Sequence, residues 1–163
     1  MLMKIGYYLG RIVEEEVGKV DRVVGIAMAG IPLALSITFA YGIPSCYTRK
    51  MNVRSVEELE KVLKKYGEHR LVEGELVDGD RIVLVDDLVT RFDSKLIALK
   101  QLEYEAKRRG IKIKCNHVVV LIDREQGAVE RAREYGISLH SLIPFKTKGI
   151  EWLKEKLTET EYR

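Results

Sequence analysis

At 163 residues, 46% of them hydrophobic and 33% charged, the chain has apolar mass for one core and too little length for two comfortable domains. That balance excludes a disordered chain, and no run approaches the ~18 consecutive apolar residues of a membrane-spanning helix. A net charge of +3 tolerates an anionic ligand but lacks the dense basic stripe of a nucleic-acid binder. Cys46 and Cys115 each lie in an apolar run without a metal-ligand cluster, which reads as small core residues in a reducing compartment. Met1 to Gly10 lacks the apolar centre of a signal peptide, so the expected location is the cytoplasm.

Ile5, Leu9, Ile12 and Val13 recur at helical spacing and predict a first helix over Met3 to Val17. Val23 to Met28 predicts a strand ended by Ala29-Gly30-Ile31-Pro32. Pro32 suits the first turn of a helix that runs to about Tyr41 and closes at Gly42. Ser45 to Thr48 reads as the next strand. Ser55 to Tyr66 reads as an inserted amphipathic helix, with Ser55 and Glu58 at capping-box spacing and Val56, Leu59, Val62, Leu63 and Tyr66 on one face. The tight turn Asp78-Gly79-Asp80 feeds an apolar strand over Arg81 to Val85, and a helix follows from about Ser94 to Arg109, stopped by Gly110. His117 to Ile122 is a further strand, Ala128 to Tyr135 a helix, Ser138 to Ser141 a short strand, and Gly149 to Leu157 a terminal helix. Strands alternating with helices predict an α/β fold, a parallel sheet flanked by helices in a single domain over residues 1–163. Ligands of such folds bind at the carboxyl ends of the strands.

One segment carries unusual chemistry. Ile82 to Val85 are apolar, Asp86 and Asp87 follow, and Leu88, Val89 and Thr90 lead to Ser94 at a helix start. Adjacent carboxylates disfavour one another's ionisation and call for compensation by a cation, by donors or by hydroxyls. A ribose offers two vicinal hydroxyls, and the helix N-terminus offers free N–H groups to a phosphate. Together they would hold a ribose 5-phosphate with C1 outward. Capping of a turn is the alternative role for the two acids.

This segment resembles the signature of type I phosphoribosyltransferases for 5-phosphoribosyl 1-diphosphate (PRPP): a hydrophobic strand, two acids, two apolar residues, and a Thr/Gly-rich turn closing with Ser or Thr. Further motifs resemble the orotate phosphoribosyltransferases in particular. Asp123-Arg124-Glu125-Gln126-Gly127, with Leu139-His140-Ser141-Leu142 downstream, is similar to that family's closing part, in which the Arg contacts the pyrimidine carboxylate. Ala27 to Pro32 is similar to its pyrophosphate loop, where Gly30 would let backbone amides approach the diphosphate. Tyr47-Thr48-Arg49-Lys50 is similar to its Tyr-x-Arg-Lys strand end. Lys65-Tyr66-Gly67 with Arg70 to Gly74 resembles the mobile catalytic loop, Lys64 matching the loop lysine.

The resemblance implies transfer of phosphoribose from PRPP to orotate or a related base. Asp86 and Asp87 would hold the ribose, the turn with Thr90, Arg91 and Ser94 the 5-phosphate, and Gly30 and its neighbours the diphosphate, with Arg49 a further substrate-binding residue. Lys50, Lys64 and His69 would neutralise the leaving group, and Arg124 would hold the base. It also implies Mg²⁺ bound through substrate oxygens and by no protein residue directly, Asp86 or Asp87 being the alternative contact, and a homodimer with Phe39, Tyr41 and Tyr47 at the interface. No membrane or nucleic-acid partner is expected.

The chain departs from the family in three places. The turn Thr90-Arg91-Phe92-Asp93-Ser94 has lost its glycines: Phe92 cannot adopt a positive φ cheaply, and Asp93 adds a negative charge beside the expected anion. Only about one helix precedes Val23, so the N-terminal hood that covers the base is reduced. Met51 to Leu63 is an extra stretch that either lengthens a lid or fixes it, with Lys64 either catalytic or a solvated helix residue. These departures motivate a rival expectation, a catalytically weakened or inactive relative that binds PRPP or nucleotides as a regulator.

Overall fold

The computed structural model describes residues 1–66 and 70–156. Strands β1 (Arg22–Gly25), β2 (Ser45–Thr48), β3 (Val72–Glu73), β4 (Arg81–Val89), β5 (Lys114–Asp123) and β6 (Ser138–Pro144) pair in the order β3-β2-β1-β4-β5-β6. The pairing is parallel, as the alternation predicts, except at the edge, where β3 runs antiparallel to β2. At two residues, β3 is too short to leave a periodic trace in the sequence.

Helices α1 (Leu2–Ile12), α2 (Gly30–Tyr41), α3 (Val56–Tyr66), α4 (Asp93–Arg109), α5 (Ala128–Glu134) and α6 (Ile150–Leu153) surround this sheet. Alternation along β4 divides the core. Val83 and Val85 face Leu9 and Ile12 of α1 and Leu33 and Ile37 of α2, while Ile82 and Leu84 face Leu96 and Leu102 of α4 and Ala132 of α5. A strand covered on both faces must be apolar at every position, which is why this stretch reads as a continuous run.

Several boundaries differ from the sequence pattern. The first helix changes at Val13 into a π-helical turn, Val13–Val17, that ends at Gly18 with φ 88°. The last helix is split into a π-helical turn (Phe145–Gly149), α6 and a 3₁₀ turn (Lys154–Lys156), and the expected end at Leu157 lies outside the described residues. The largest difference is in β4, which runs to Val89 rather than Val85 because β5 is long enough to partner it: Asp86 is in register with Val120 and Val89 with Asp123. The two acids therefore lie inside a strand, not beyond it.

The inserted helix forms as expected. Ser55 Oγ accepts from the Glu58 amide at 3.2 Å, and Glu58 Oε2 accepts from the Arg54 amide at 2.7 Å, a reciprocal N-terminal box. Leu59 is fully buried and Val56 packs on the core, so α3 docks against α4 instead of extending freely. Cys46 is buried and Cys115 half-buried, with burial pushing the Cys115 thiol up to about 12, so neither thiol ionises at neutral pH. Of the expected interface aromatics, Phe39 and Tyr47 are exposed, but Tyr41 is engaged within the chain. Its hydroxyl donates to the Tyr7 carbonyl at 3.0 Å, and its ring covers Gly10.

Candidate functional site at the carboxyl end of β4

Strand order reverses between β1 and β4, both of which are followed by a loop and a helix, so a crevice opens at their carboxyl ends. Three strand ends are cross-tied there. Ile26 N–H donates to the Val85 carbonyl at 2.9 Å, the Ala27 amide donates to Thr48 Oγ1 at 3.2 Å, and the Arg124 amide donates to the Val89 carbonyl at 3.0 Å. The loop after β1, the end of β2 and the loop after β5 thus converge on β4.

Gly30 is required here, but not for the reason its motif suggests. Its N–H already donates to the Ile26 carbonyl at 2.9 Å, and a Cβ on it would collide with the Val85 carbonyl and sit 3.3 Å from Asp86 Cα. Glycine lets α2 press against β4; it does not free this amide for a diphosphate. Gly30→Ala must displace backbone, and we expect a loss of roughly 1–3 kcal/mol in urea unfolding. A fully stable variant would contradict this close approach.

Beyond β4, an open cleft of about 360 Å³ is lined by Asp86, Asp87, Leu88, Thr90, Phe92, Asp93, Ser94 and Lys95. The turn keeps the conformation a glycine would supply, although Phe92 supplies it: φ is 74° and ψ −2°, and the side chain is 1% exposed in the core beside Leu96. Phe92 is also the N-cap of α4 and makes no side-chain cap, so the first-turn amides of Asp93 and Ser94 have no intrahelical acceptors. The Asp93 side chain is exposed at the first turn of α4, where the helix dipole favours an acid.

The two acids have different fates, because neighbours on a strand point to opposite faces. Asp86 is buried towards α4. Its Oδ2 accepts from Lys95 Nζ at 2.8 Å, and its Oδ1 accepts from the Asp87 amide at 2.9 Å. Burial raises its pKa, with the Lys95 ammonium and the Asp87 amide pulling the other way. The Asp87 carboxylate is exposed and has no hydrogen bond or ion pair among the described residues. Of the two acids expected at the ribose, Asp86 is thus engaged within the chain and Asp87 is open.

Lys95 is the residue that motif reading missed. It is 3% exposed, and its Nζ donates to Asp86 Oδ2, to the Leu88 carbonyl and to Ser94 Oγ at 3.2 Å. A trace of it exists in the sequence: Lys95, Ala98, Leu99 and Leu102 fall on one helical stripe, and a lysine on an apolar stripe needs an internal partner. Arg91, by contrast, is exposed and lies outside the residues that line the cleft.

The remaining expected residues surround the cleft at varying distance. Arg49 and Lys50 follow β2 and are exposed. The Arg49 amide donates to the Leu71 carbonyl at 2.8 Å, its carbonyl accepts from Gln101 Nε2 at 2.8 Å, and its guanidinium lies 3.6 Å from Glu73. Lys64 is exposed on α3. His69 lies outside the described residues. Arg124 is exposed just past β5, on a loop held by Asp123 and Glu125. Asp123 Oδ1 accepts from the Glu125 amide at 2.7 Å, and Glu125 Oε2 accepts from the Thr147 amide at 2.8 Å. Among the described residues no group of three or more His, Cys, Asp or Glu could hold a metal ion. With both Asp86 oxygens engaged, the open carboxylates left in the cleft are those of Asp87 and Asp93, a donor set that fits a hard cation carried mainly by a ligand's own oxygens.

No family model matches the chain. Among curated proteins it is 33% identical over 135 residues to the orotate phosphoribosyltransferase of Methanothermobacter thermautotrophicus, covering 83% of this chain and 66% of that protein. It is 30% identical over 139 residues to that of Methanocaldococcus jannaschii, covering 85% and 69%. The chain thus spans a little under two thirds of the first relative's length. Among solved structures, orotate phosphoribosyltransferase from Aeropyrum pernix superposes with a TM-score of 0.68 at 24% identity, covering 91% of this chain and 75% of that one, which supports the fold. A six-stranded sheet with its cleft beyond β4, together with these sequence matches, places the chain in the orotate phosphoribosyltransferase family.

Proposed function

We propose that the chain transfers the 5-phosphoribosyl group of PRPP to orotate or a related base. The observation that carries this reading is the cleft beyond β4, where an open carboxylate, a left-handed turn and an uncapped helix N-terminus adjoin. Such a site accepts hydroxyls on one side and a phosphate on the other. Asp87 accepts from the ribose hydroxyls, and the Asp93 and Ser94 amides with Thr90 Oγ1 receive the 5-phosphate. Arg49, Lys50, Lys64 and His69 offset charge developing on the diphosphate as the C1–O bond breaks. Arg124 pairs with the base carboxylate. Mg²⁺, when bound with the diphosphate, supplies charge neutralisation of the leaving group. Two copies would pair through exposed apolar residues such as Phe39 and Tyr47, and a cytoplasmic location fits this role.

Steady-state assay with PRPP, Mg²⁺ and a panel of bases tests the reading, and absence of diphosphate release with every base would sink it. Loss of one charged hydrogen-bond acceptor to ribose is worth about 1.5–3 kcal/mol, so Asp87→Asn should lower kcat/KM roughly tenfold to a hundredfold while leaving the fold intact.

A second reading has its own support: a relative that binds PRPP or a nucleotide without turnover. Lys95 holds one of the two acids, and an acid already neutralised contributes less to an oxocarbenium-like transition state. Calorimetric PRPP binding without diphosphate release would select it.

A further inference from the structure

Resting on the proposed phosphoribosyl transfer, we infer that Lys95 is a built-in cation of this cleft, one that closes Asp86 to divalent metal and leaves Asp87 as the open acid of the β4 pair for a metal–diphosphate ligand. An ammonium has three donors and no acceptor, and all three are matched: Asp86 Oδ2 at 2.8 Å, the Leu88 carbonyl, and Ser94 Oγ at 3.2 Å. Burying such a group is costly unless every donor is met, so its 3% exposure marks a fixed place and not a side chain in transit.

The geometry gives Lys95 two tasks. It neutralises Asp86 from within, on the side of α4, and it staples the turn by joining the end of β4 to the first residues of the helix. The second Asp86 oxygen is filled by the Asp87 amide at 2.9 Å. A divalent ion brought to Asp86 would face a cation in direct contact with the same carboxylate, and the ammonium is tethered where the ion is not. Lys95 also lines the cleft with Thr90, Asp93 and Ser94. Lys95 is thus a positioning residue for the turn and a selector between the acids. Metal would arrive with the diphosphate and meet Asp87, not wait on the empty protein.

The test uses the full chain and Mn²⁺ as a paramagnetic probe, without PRPP. Lys95→Met should bind free Mn²⁺ at least about tenfold more tightly than the unaltered chain, as expected when a competing buried cation is removed. The double variant with Asp86→Asn should lose that gain. Equal Mn²⁺ affinity with and without Lys95, or Mn²⁺ binding by the unaltered chain that Asp86→Asn abolishes, would overturn the inference. Should Lys95→Met fail to fold, the exposed Asp87→Asn change decides. It should weaken binding of Mn²⁺ with inorganic diphosphate about tenfold, and an unchanged affinity overturns the assignment. None of these readouts involves a base. If no base is turned over yet the Mn²⁺ results hold, the transfer reading fails and the assignment of Lys95 stands.

Discussion

Phe92→Ala should be among the most destabilising single changes in this chain, at about 3–5 kcal/mol, the range for deleting a buried Phe ring. The native residue is held in opposition. A left-handed backbone costs a bulky residue on the order of 1–3 kcal/mol, and burial of its ring returns about as much or more. Phe92, with φ 74° and 1% exposure, sits where these terms meet. Alanine keeps the backbone penalty and discards the ring. Glycine discards the ring too but adopts the conformation freely, so Phe92→Gly should be the less damaging change by about 1 kcal/mol, the reverse of the usual helix-region order. Urea unfolding of both variants checks the ranking. Alanine proving the milder substitution would remove the argument that the turn keeps a glycine conformation. Binding of inorganic phosphate should weaken in both, because the ring anchors the turn to the core.

Glu105→Gln is the second large effect, on the order of 3 kcal/mol at neutral pH, because it removes one charge from a buried ion cluster. The Glu105 carboxylate is fully buried and accepts from Arg108 at 2.5 Å, from Arg109 Nε at 2.7 Å and from the Leu71 amide at 2.8 Å. Arg109 continues to the Val72 and Gly74 carbonyls, so the cluster fastens β3 and the segment before it to α4. Desolvation pushes the Glu105 pKa up, but the hydrogen bonds from Arg108, Leu71 and Arg109 outweigh it and hold the value at about 2, below the ordinary 4.5. The folded state therefore favours the carboxylate. Its stabilisation is fully present above about pH 4.5 and is lost as pH falls towards 2. The cost of Glu105→Gln should accordingly shrink between pH 7 and pH 3. Equal differences in unfolding free energy at both pH values would show that charge is not the source.

The central strands were legible because β1, most of β4 and the middle of β5 are buried on both faces and so must be apolar at nearly every position. The family motifs were legible for a related reason: a phosphate turn, a close glycine and an arginine past a strand each demand particular residue types at short spacing. What escaped was long-range. Gly30 was visible, but its role depends on how near Val85 lies, a distance set by packing of α2 on β4. Glu105 looked like one more helix acid, since its partners include an amide 34 residues away.

By itself the sequence determined the α/β architecture and the family. Only the tertiary structure decided how the site beyond β4 is divided. Alternation along β4 turns the adjacent acids to opposite faces, and packing of α4 brings Lys95 onto one of them. The same packing draws Phe92 into the core and so preserves a turn that composition alone would have judged broken. Local residue type fixes what a segment can do; the neighbour across the interface fixes which of those options remains open.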